Sequence, residues 1–144
     1  MYVLKVRDHF DAAHHLVGYQ GECSRVHGHR WTVELEVAFD SLPPDGMRVD
    51  FGHLKDVLGR ILPDHCDLND VYLGMNPTAE NLSRVLFEQA KARIPETVAV
   101  TVYETPECGC KYTGKPDSVF EQAKAAVPEV VPHKDNPEVA GELG

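Results

Sequence analysis

The chain has no stretch long and apolar enough to cross a membrane as a helix. Its first residues, Met1-Tyr2-Val3-Leu4-Lys5, lack the pattern of a secretory signal and already read as a strand. A cytoplasmic location without a membrane partner is therefore expected. Positive charge is scarce: 14 Lys and Arg stand against 23 Asp and Glu, a net charge of −9. That sign argues against nucleic acid as a partner, although it leaves room for a local basic pocket. Cysteine is sparse, with four residues in a chain that is neither short nor secreted in appearance. Thiols rather than disulfides are expected. No internal repeat is visible. With 144 residues, 42% hydrophobic and 26% charged, the composition is that of one folded domain with a real core.

Against these absences stands a concentration of histidine around Cys23-Ser-Arg-Val-His27-Gly-His29. This segment runs straight into a strand pattern over residues 30–40. Trp31, Val33, Leu35, Val37 and Phe39 alternate with Thr32, Glu34, Glu36 and Ala38. Strand side chains alternate with a period of two, so His27 and His29 fall on the apolar, inward face. Residues 2–14 form an earlier strand with Tyr2, Leu4, Val6, Phe10, Ala12 and His14 on one face. Asp8 interrupts that face, as a bulge or a strand end would. If residues 15–26 connect antiparallel neighbours, His14 lies beside His27 and His29. His15 has the opposite parity and reads as a surface residue. Inward histidines at the rim of a core are a metal site or costly buried polar groups, and the metal is the stronger reading.

Farther along, Asp50 reads as the N-cap of a helix carrying Phe51, Leu54, Val57, Leu58, Ile61 and Leu62, stopped by Pro63. Thr78 caps a second helix whose stripe is Leu82, Val85, Leu86, Ala90 and Ile94, ended by Pro95. Between them, Asp64 to Asp70 reads on its residues alone as a solvated turn. A strand follows over 97–105, with Val98, Val100, Val102 and Glu104 on one face. Glu104, at the end of an apolar face, needs a partner: a basic residue in an ion pair, or the N–H donors of a ligand. Residues 107–113 form a last short strand. Cys108 and Cys110 resemble half of a metal site with no second pair, and are read as structural. Ser118 to Glu121 has a capping-box pattern, so 115–127 is expected to be a short helical extension. Residues 128–144 lack periodicity and are expected to be a disordered tail.

Three neutral histidines leave one tetrahedral position for water or substrate, the arrangement of a catalytic zinc. Cys23 would either close the site as a fourth ligand or stand across a bound substrate as a thiolate base. The spacing permits both.

Phe10-Asp11-Ala12-Ala13-His14, Cys23-x-x-x-His27-Gly-His29, Val49-Asp50-Phe51-x-x-Leu54-Lys55, Asp64-His65 with Leu68-Asn69-Asp70, Asn76-Pro77-Thr78-Ala79-Glu80 and Tyr103-Glu104-Thr105 occur in this order. Together they resemble the family of 6-pyruvoyltetrahydropterin synthase and its bacterial relative, 6-carboxytetrahydropterin synthase of queuosine biosynthesis. The resemblance covers roughly residues 2–114 and implies an α+β T-fold catalytic domain over 1–114. Its antiparallel four-stranded sheet carries two helices between the second and third strands. Oligomeric barrels stacked as a homohexamer are also implied.

By the same resemblance, His14, His27 and His29 are Zn2+ ligands and Cys23 is the catalytic base. Asp64 and His65 complete proton transfer, against the bland reading of their turn. Glu104 anchors a pterin ring. The three-residue spacer after Cys23 resembles the carboxy-forming branch. That branch is a carbon–carbon lyase converting 7,8-dihydroneopterin triphosphate to 6-carboxy-5,6,7,8-tetrahydropterin, acetaldehyde and triphosphate. The pyruvoyl-forming reaction and a noncatalytic zinc-stabilised module are the rival readings. His15 stands where relatives commonly carry Arg or Lys. Arg25, Arg30 and Lys111 are the remaining candidates for triphosphate contacts.

Overall fold

Strands β1 (Tyr2–His14) and β2 (His27–Phe39) form the centre of the molecule. They pair antiparallel without a break, from Tyr2 opposite Phe39 to His14 opposite His27. The computed structural model describes residues 1–115. From residue 116 onward, the expected helical extension and tail lie outside the described residues.

After β2 come α1 (Phe51–Ile61), β3 (Cys66–Asp67), α2 (Leu68–Val71), α3 (Ala79–Arg93), β4 (Thr97–Thr105) and β5 (Cys108–Tyr112). The sheet order is β3-β1-β2-β4-β5. Four strands are antiparallel neighbours, as expected, and both long helices lie between the second and third of these. The expected four-stranded, wholly antiparallel sheet is corrected by β3, a two-residue strand parallel to β1 at Ala12 and Ala13. The same segment adds the single turn of α2, capped by Asp67 accepting from the Asn69 N–H at 2.9 Å. Two residues are too few for a hydrophobic alternation, so the pattern of residues 64–70 carries no strand signal.

The helices start where their caps dictate. The Asp50 carboxylate accepts from the Gly52 N–H at 2.6 Å, and the Thr78 hydroxyl accepts from the Asn81 N–H at 3.2 Å. Leu54, Val57, Leu58 and Ile61 of α1 and Leu82, Leu86, Phe87 and Ala90 of α3 are buried against one face of the sheet. That face presents Phe10 stacked on Trp31, with centroids 5.9 Å apart, and then Val33, Leu35 and Val37, all fully buried. Each such side chain contributes about 1.5–3 kcal/mol relative to exposure. Phe51, expected in the α1 stripe, is instead 57% exposed beside Tyr2 and Leu4.

Two details of the strands differ from the expected alternation. Val98 is exposed, because the β2–β4 register shifts between Glu36 and Val37 and takes Val98 out of the inward row. Asp8 produces no bulge, since the β1–β2 register is continuous through its pair with Val33. Its carboxylate lies near Gly59 of α1, where an added Cβ would sit at van der Waals distance, 3.8 Å from Oδ2.

The opposite face of the sheet is ionic. Glu34 and Glu36 are nearly buried there. Arg7 donates to Glu34 at 2.6 Å, and Lys111 lies 2.7 Å from Glu36. The Arg7 guanidinium also lies 5.7 Å from the Tyr103 ring centroid. That ring crosses Gly109 of β5. A Cβ at Gly109 would sit 2.6 Å from a Tyr103 ring carbon and 2.9 Å from the Val102 carbonyl oxygen. Backbone cannot step aside as a flexible side chain can. Gly109→Ala is expected to destabilise the fold by about 1–3 kcal/mol through overpacking, read as a lower urea midpoint. An unchanged midpoint would show that β5 shifts freely.

Candidate metal centre

The unbroken β1–β2 register ends on the pair His14 and His27, and His29 pairs with Ala12 two positions further into the sheet. Glu104 arrives from β4 at a register shift between Tyr103 and Thr105, where the β4–β5 ladder skips it. Three imidazoles and one carboxylate therefore meet at one end of the inward face. Their donor atoms all lie within 4.8 Å of one another. Trp31 supplies the floor, edge-on to His14 at 4.8 Å and to His29 at 5.3 Å between centroids.

The protonation pattern follows from the neighbours. His14 Nδ1 lies 2.8 Å from the Pro77 carbonyl oxygen, and His27 Nδ1 lies 2.7 Å from that of Arg25. A carbonyl only accepts, so each ring donates from Nδ1 and turns the lone pair of Nε2 into the cluster. Those two Nε2 atoms are 3.0 Å apart. Glu104 Oε1 lies 3.2 Å from His14 Nε2 and 2.9 Å from His29 Nε2. His29 Nε2 is buried and, despite that short distance, is not aligned to hydrogen-bond. Burial holds His29 below the usual imidazole range, against the opposing pull of Glu104.

In the form that binds a metal, the imidazoles and the carboxylate would aim lone pairs at a common point. A cation there relieves the repulsion. Tetrahedral zinc, with bonds of about 2.0–2.1 Å to nitrogen, sets its ligands roughly 3.3 Å apart, near the spacings found here. The carbonyls behind His14 and His27 play the orienting part that such partners play for metal-bound histidine. His14, His27, His29 and Glu104 fit a metal ion.

Cys23 lies outside this group, in a 3-10 turn over Glu22–Ser24. Its carbonyl accepts from the Leu16 N–H at 2.8 Å, which folds the loop back over the end of β1. No disulfide joins any two of the four cysteines. Asp64 and His65 stand at the turn after α1, paired at 2.8 Å, and belong to a second cluster with Asp11. Sequence reasoning placed no weight on Asp11. The available signal was register: the alignment that pairs His14 with His27 also sets Asp11 opposite Arg30. A shallow surface lined by His29, Arg30, Asp11 and His65 connects the two clusters.

The fold and site define a protein with a histidine-rich cluster fit to hold a metal ion at the rim of an antiparallel sheet backed by two helices. Residues 3–115 match the family described as 6-pyruvoyl tetrahydropterin synthase. The chain is 30% identical to a 6-carboxy-5,6,7,8-tetrahydropterin synthase of Rickettsia bellii, an alignment covering 71% of this chain and 93% of that one. It is 34% identical to the protein of the same name in Bacillus subtilis, covering 74% and 82%. The solved 6-pyruvoyl tetrahydropterin synthase of Caenorhabditis elegans superposes with a TM-score of 0.72 at 25% identity, over 79% of this chain and 96% of that one. The chain belongs to the 6-pyruvoyl tetrahydropterin synthase family, with the α+β architecture that its T-fold resemblance implies.

If the four-donor cluster holds the metal, His27→Ala lowers bound zinc well below the wild-type stoichiometry. His9→Ala, at an exposed position outside the cluster, retains it. Elemental analysis of dialysed protein decides, and equal zinc in the two variants would remove His27 from the ligand set.

Proposed function

We propose that this protein is a zinc-dependent 6-carboxy-5,6,7,8-tetrahydropterin synthase. The reaction converts 7,8-dihydroneopterin triphosphate to 6-carboxytetrahydropterin, acetaldehyde and triphosphate. The observation that carries the reading is the convergence of three histidines, two of them oriented by backbone carbonyls, on one point. The names of the Rickettsia and Bacillus relatives and the three-residue spacer between Cys23 and His27 support the carboxy-forming outcome. A bound zinc would polarise the hydroxyls of the substrate side chain and acidify the adjacent positions.

The remaining roles fall to this chain's own residues. Cys23 would remove a proton from the substrate side chain as a thiolate, the form that a bound dication nearby would favour. His65, with Nδ1 held toward Asp64, presents Nε2 as the other proton-transfer group. Glu104 accepts the paired N–H donors of the pterin ring. That role requires the Glu104 carboxylate, which lies 3.2 Å from His14 Nε2 and 2.9 Å from His29 Nε2, to face the ring rather than a metal ion. A hexamer of stacked trimers, with sheets closed into barrels, belongs to the same proposal. It would cover the open edges of β1 and β5.

One observation favours a second reading. Glu104 Oε1 lies 2.9 Å from His29, close enough to serve as fourth ligand of a closed, noncatalytic centre. In that case the carboxylate, rather than Cys23, closes the site.

Two experiments test the proposal. Chelation abolishes formation of 6-carboxytetrahydropterin from dihydroneopterin triphosphate, and zinc restores it. Full turnover by verified metal-free protein would sink the zinc role, and a 6-pyruvoyl product would move the protein to the other branch of the family.

The second experiment separates Cys23 from Glu104. Cys23→Ala keeps zinc and pterin binding but loses about 10²-fold or more in kcat, the scale for removing a general base. Glu104→Gln keeps zinc but weakens pterin binding by about 1.5–3 kcal/mol, the scale of a charged hydrogen bond. Zinc lost from Glu104→Gln, with zinc retained by Cys23→Ala, would establish the closed centre instead.

A further inference from the structure

The second cluster lies on the outward side of the β1–β2 pair, beside the proposed active site. Asp64 and His65 are clamped there by the backbone of Asp11. The Asp11 N–H donates to Asp64 Oδ1 at 2.9 Å, and the Asp11 carbonyl accepts from the His65 N–H at 2.7 Å. The second bond holds His65 at φ 54°, a left-handed conformation uncommon outside glycine. Asp64 Oδ2 then meets His65 Nδ1 at 2.8 Å.

The clamp carries a hazard. It brings the Asp11 carboxylate within 4.8 Å of both the Asp64 carboxylate and the His65 ring. An unneutralised Asp11 would repel Asp64 and compete for the ring N–H. Arg30 prevents this. It stands opposite Asp11 on β2 and donates from Nε to Oδ1 at 2.9 Å and from Nη2 to Oδ2 at 3.0 Å. Both carboxylate oxygens are thereby occupied. The cluster resembles a cation site, and the cation in it is the guanidinium.

We infer that Arg30 is a positioning residue: by holding the Asp11 carboxylate in a two-pronged cross-strand pair, it keeps Asp64 as the only carboxylate partnered to the His65 ring. The inference rests on the proposal that Asp64 and His65 transfer protons, and it assigns Arg30 a task other than binding phosphate. The charged groups at His65 are Asp64 on its own turn, Asp11 from β1 and, through Asp11, Arg30 from β2. His29 and Asp67 line the same surface.

The test uses the zinc-loaded full chain with Arg30→Gln, Arg30→Lys and the double variant Arg30→Gln/Asp11→Asn. Long-range proton–nitrogen NMR reads the His65 tautomer in buffer alkaline enough to keep the ring neutral, and steady-state kinetics read kcat and KM separately. In the unsubstituted protein the His65 proton resides on Nδ1. Arg30→Gln is expected to return the ring toward the tautomer mixture of free imidazole and to lower kcat by about tenfold or more with little change in KM. Arg30→Lys, which keeps charge without the fork, recovers only part of the loss. Removing the unneutralised carboxylate in the double variant restores both the tautomer and kcat.

An unchanged tautomer in Arg30→Gln overturns the inference. So does a double variant that restores nothing, and so does a rise in KM alone, which would assign Arg30 to the triphosphate. The NMR arm needs no turnover. A tautomer that follows this pattern in a protein inactive on the pterin would uphold the positioning role and reject the proposed reaction.

Discussion

The molecule depends on one long antiparallel pairing whose register never slips. From Tyr2–Phe39 to His14–His27, every step carries one pair inward and the next outward. A shift by one residue would exchange the faces completely. A slip of β2 would take His27, His29 and Trp31 out of the inward row and bring Glu34 and Glu36 into it. The buried Phe10–Trp31 stack on one side and the Lys5, Arg7 and Lys111 pairs with Glu34 and Glu36 on the other both oppose such a slip. The register therefore holds the chemistry in place as well as the core.

The inward end of that ladder is an electrostatic problem that calls for a cation. Two rings are turned by backbone carbonyls so that their Nε2 atoms face each other, the Nε2 of a third is buried without an aligned partner, and a carboxylate joins them. None of these groups can donate a proton to all the others. A bound cation satisfies them together, which an ordinary buried hydrogen-bond network would do only by sharing protons. The outward end has a larger surplus of negative charge, with two carboxylates beside one imidazole. There the protein supplies the cation itself, as Arg30. Two clusters of similar composition thus have different needs, and the difference lies in whether a basic side chain reaches them.

Much of this was legible because it is periodic or local. The alternation of Trp31 to Phe39 put His27 and His29 inward, and the matching parity of β1 did the same for His14. Asp50 and Thr78 capped their helices where expected, since a cap acts within three residues of itself. The misses arose where neighbouring strands set the outcome. Val98 left its inward row because β2 and β4 slip at Glu36, and Asp8 stayed in register opposite Val33 instead of marking a bulge or a strand end. The strand at Cys66–Asp67 exists only because β1 offers an open edge at Ala12 and Ala13.

The amino-acid sequence by itself determined the inward histidines, the two long helices and the order of the four main strands, because hydrophobic period and capping are written along the chain. The family resemblance added names for the roles. Only the tertiary structure decided that Glu104 joins the histidines while Cys23 stands outside the four-donor group, because a register shift in β4 and a folded-back loop set those positions. Likewise, only the folded chain could bring Asp11, Arg30, Asp64 and His65 together. Their pairing crosses between strands and reaches a distant turn, and separations of 19 and 53 residues leave no local pattern to read.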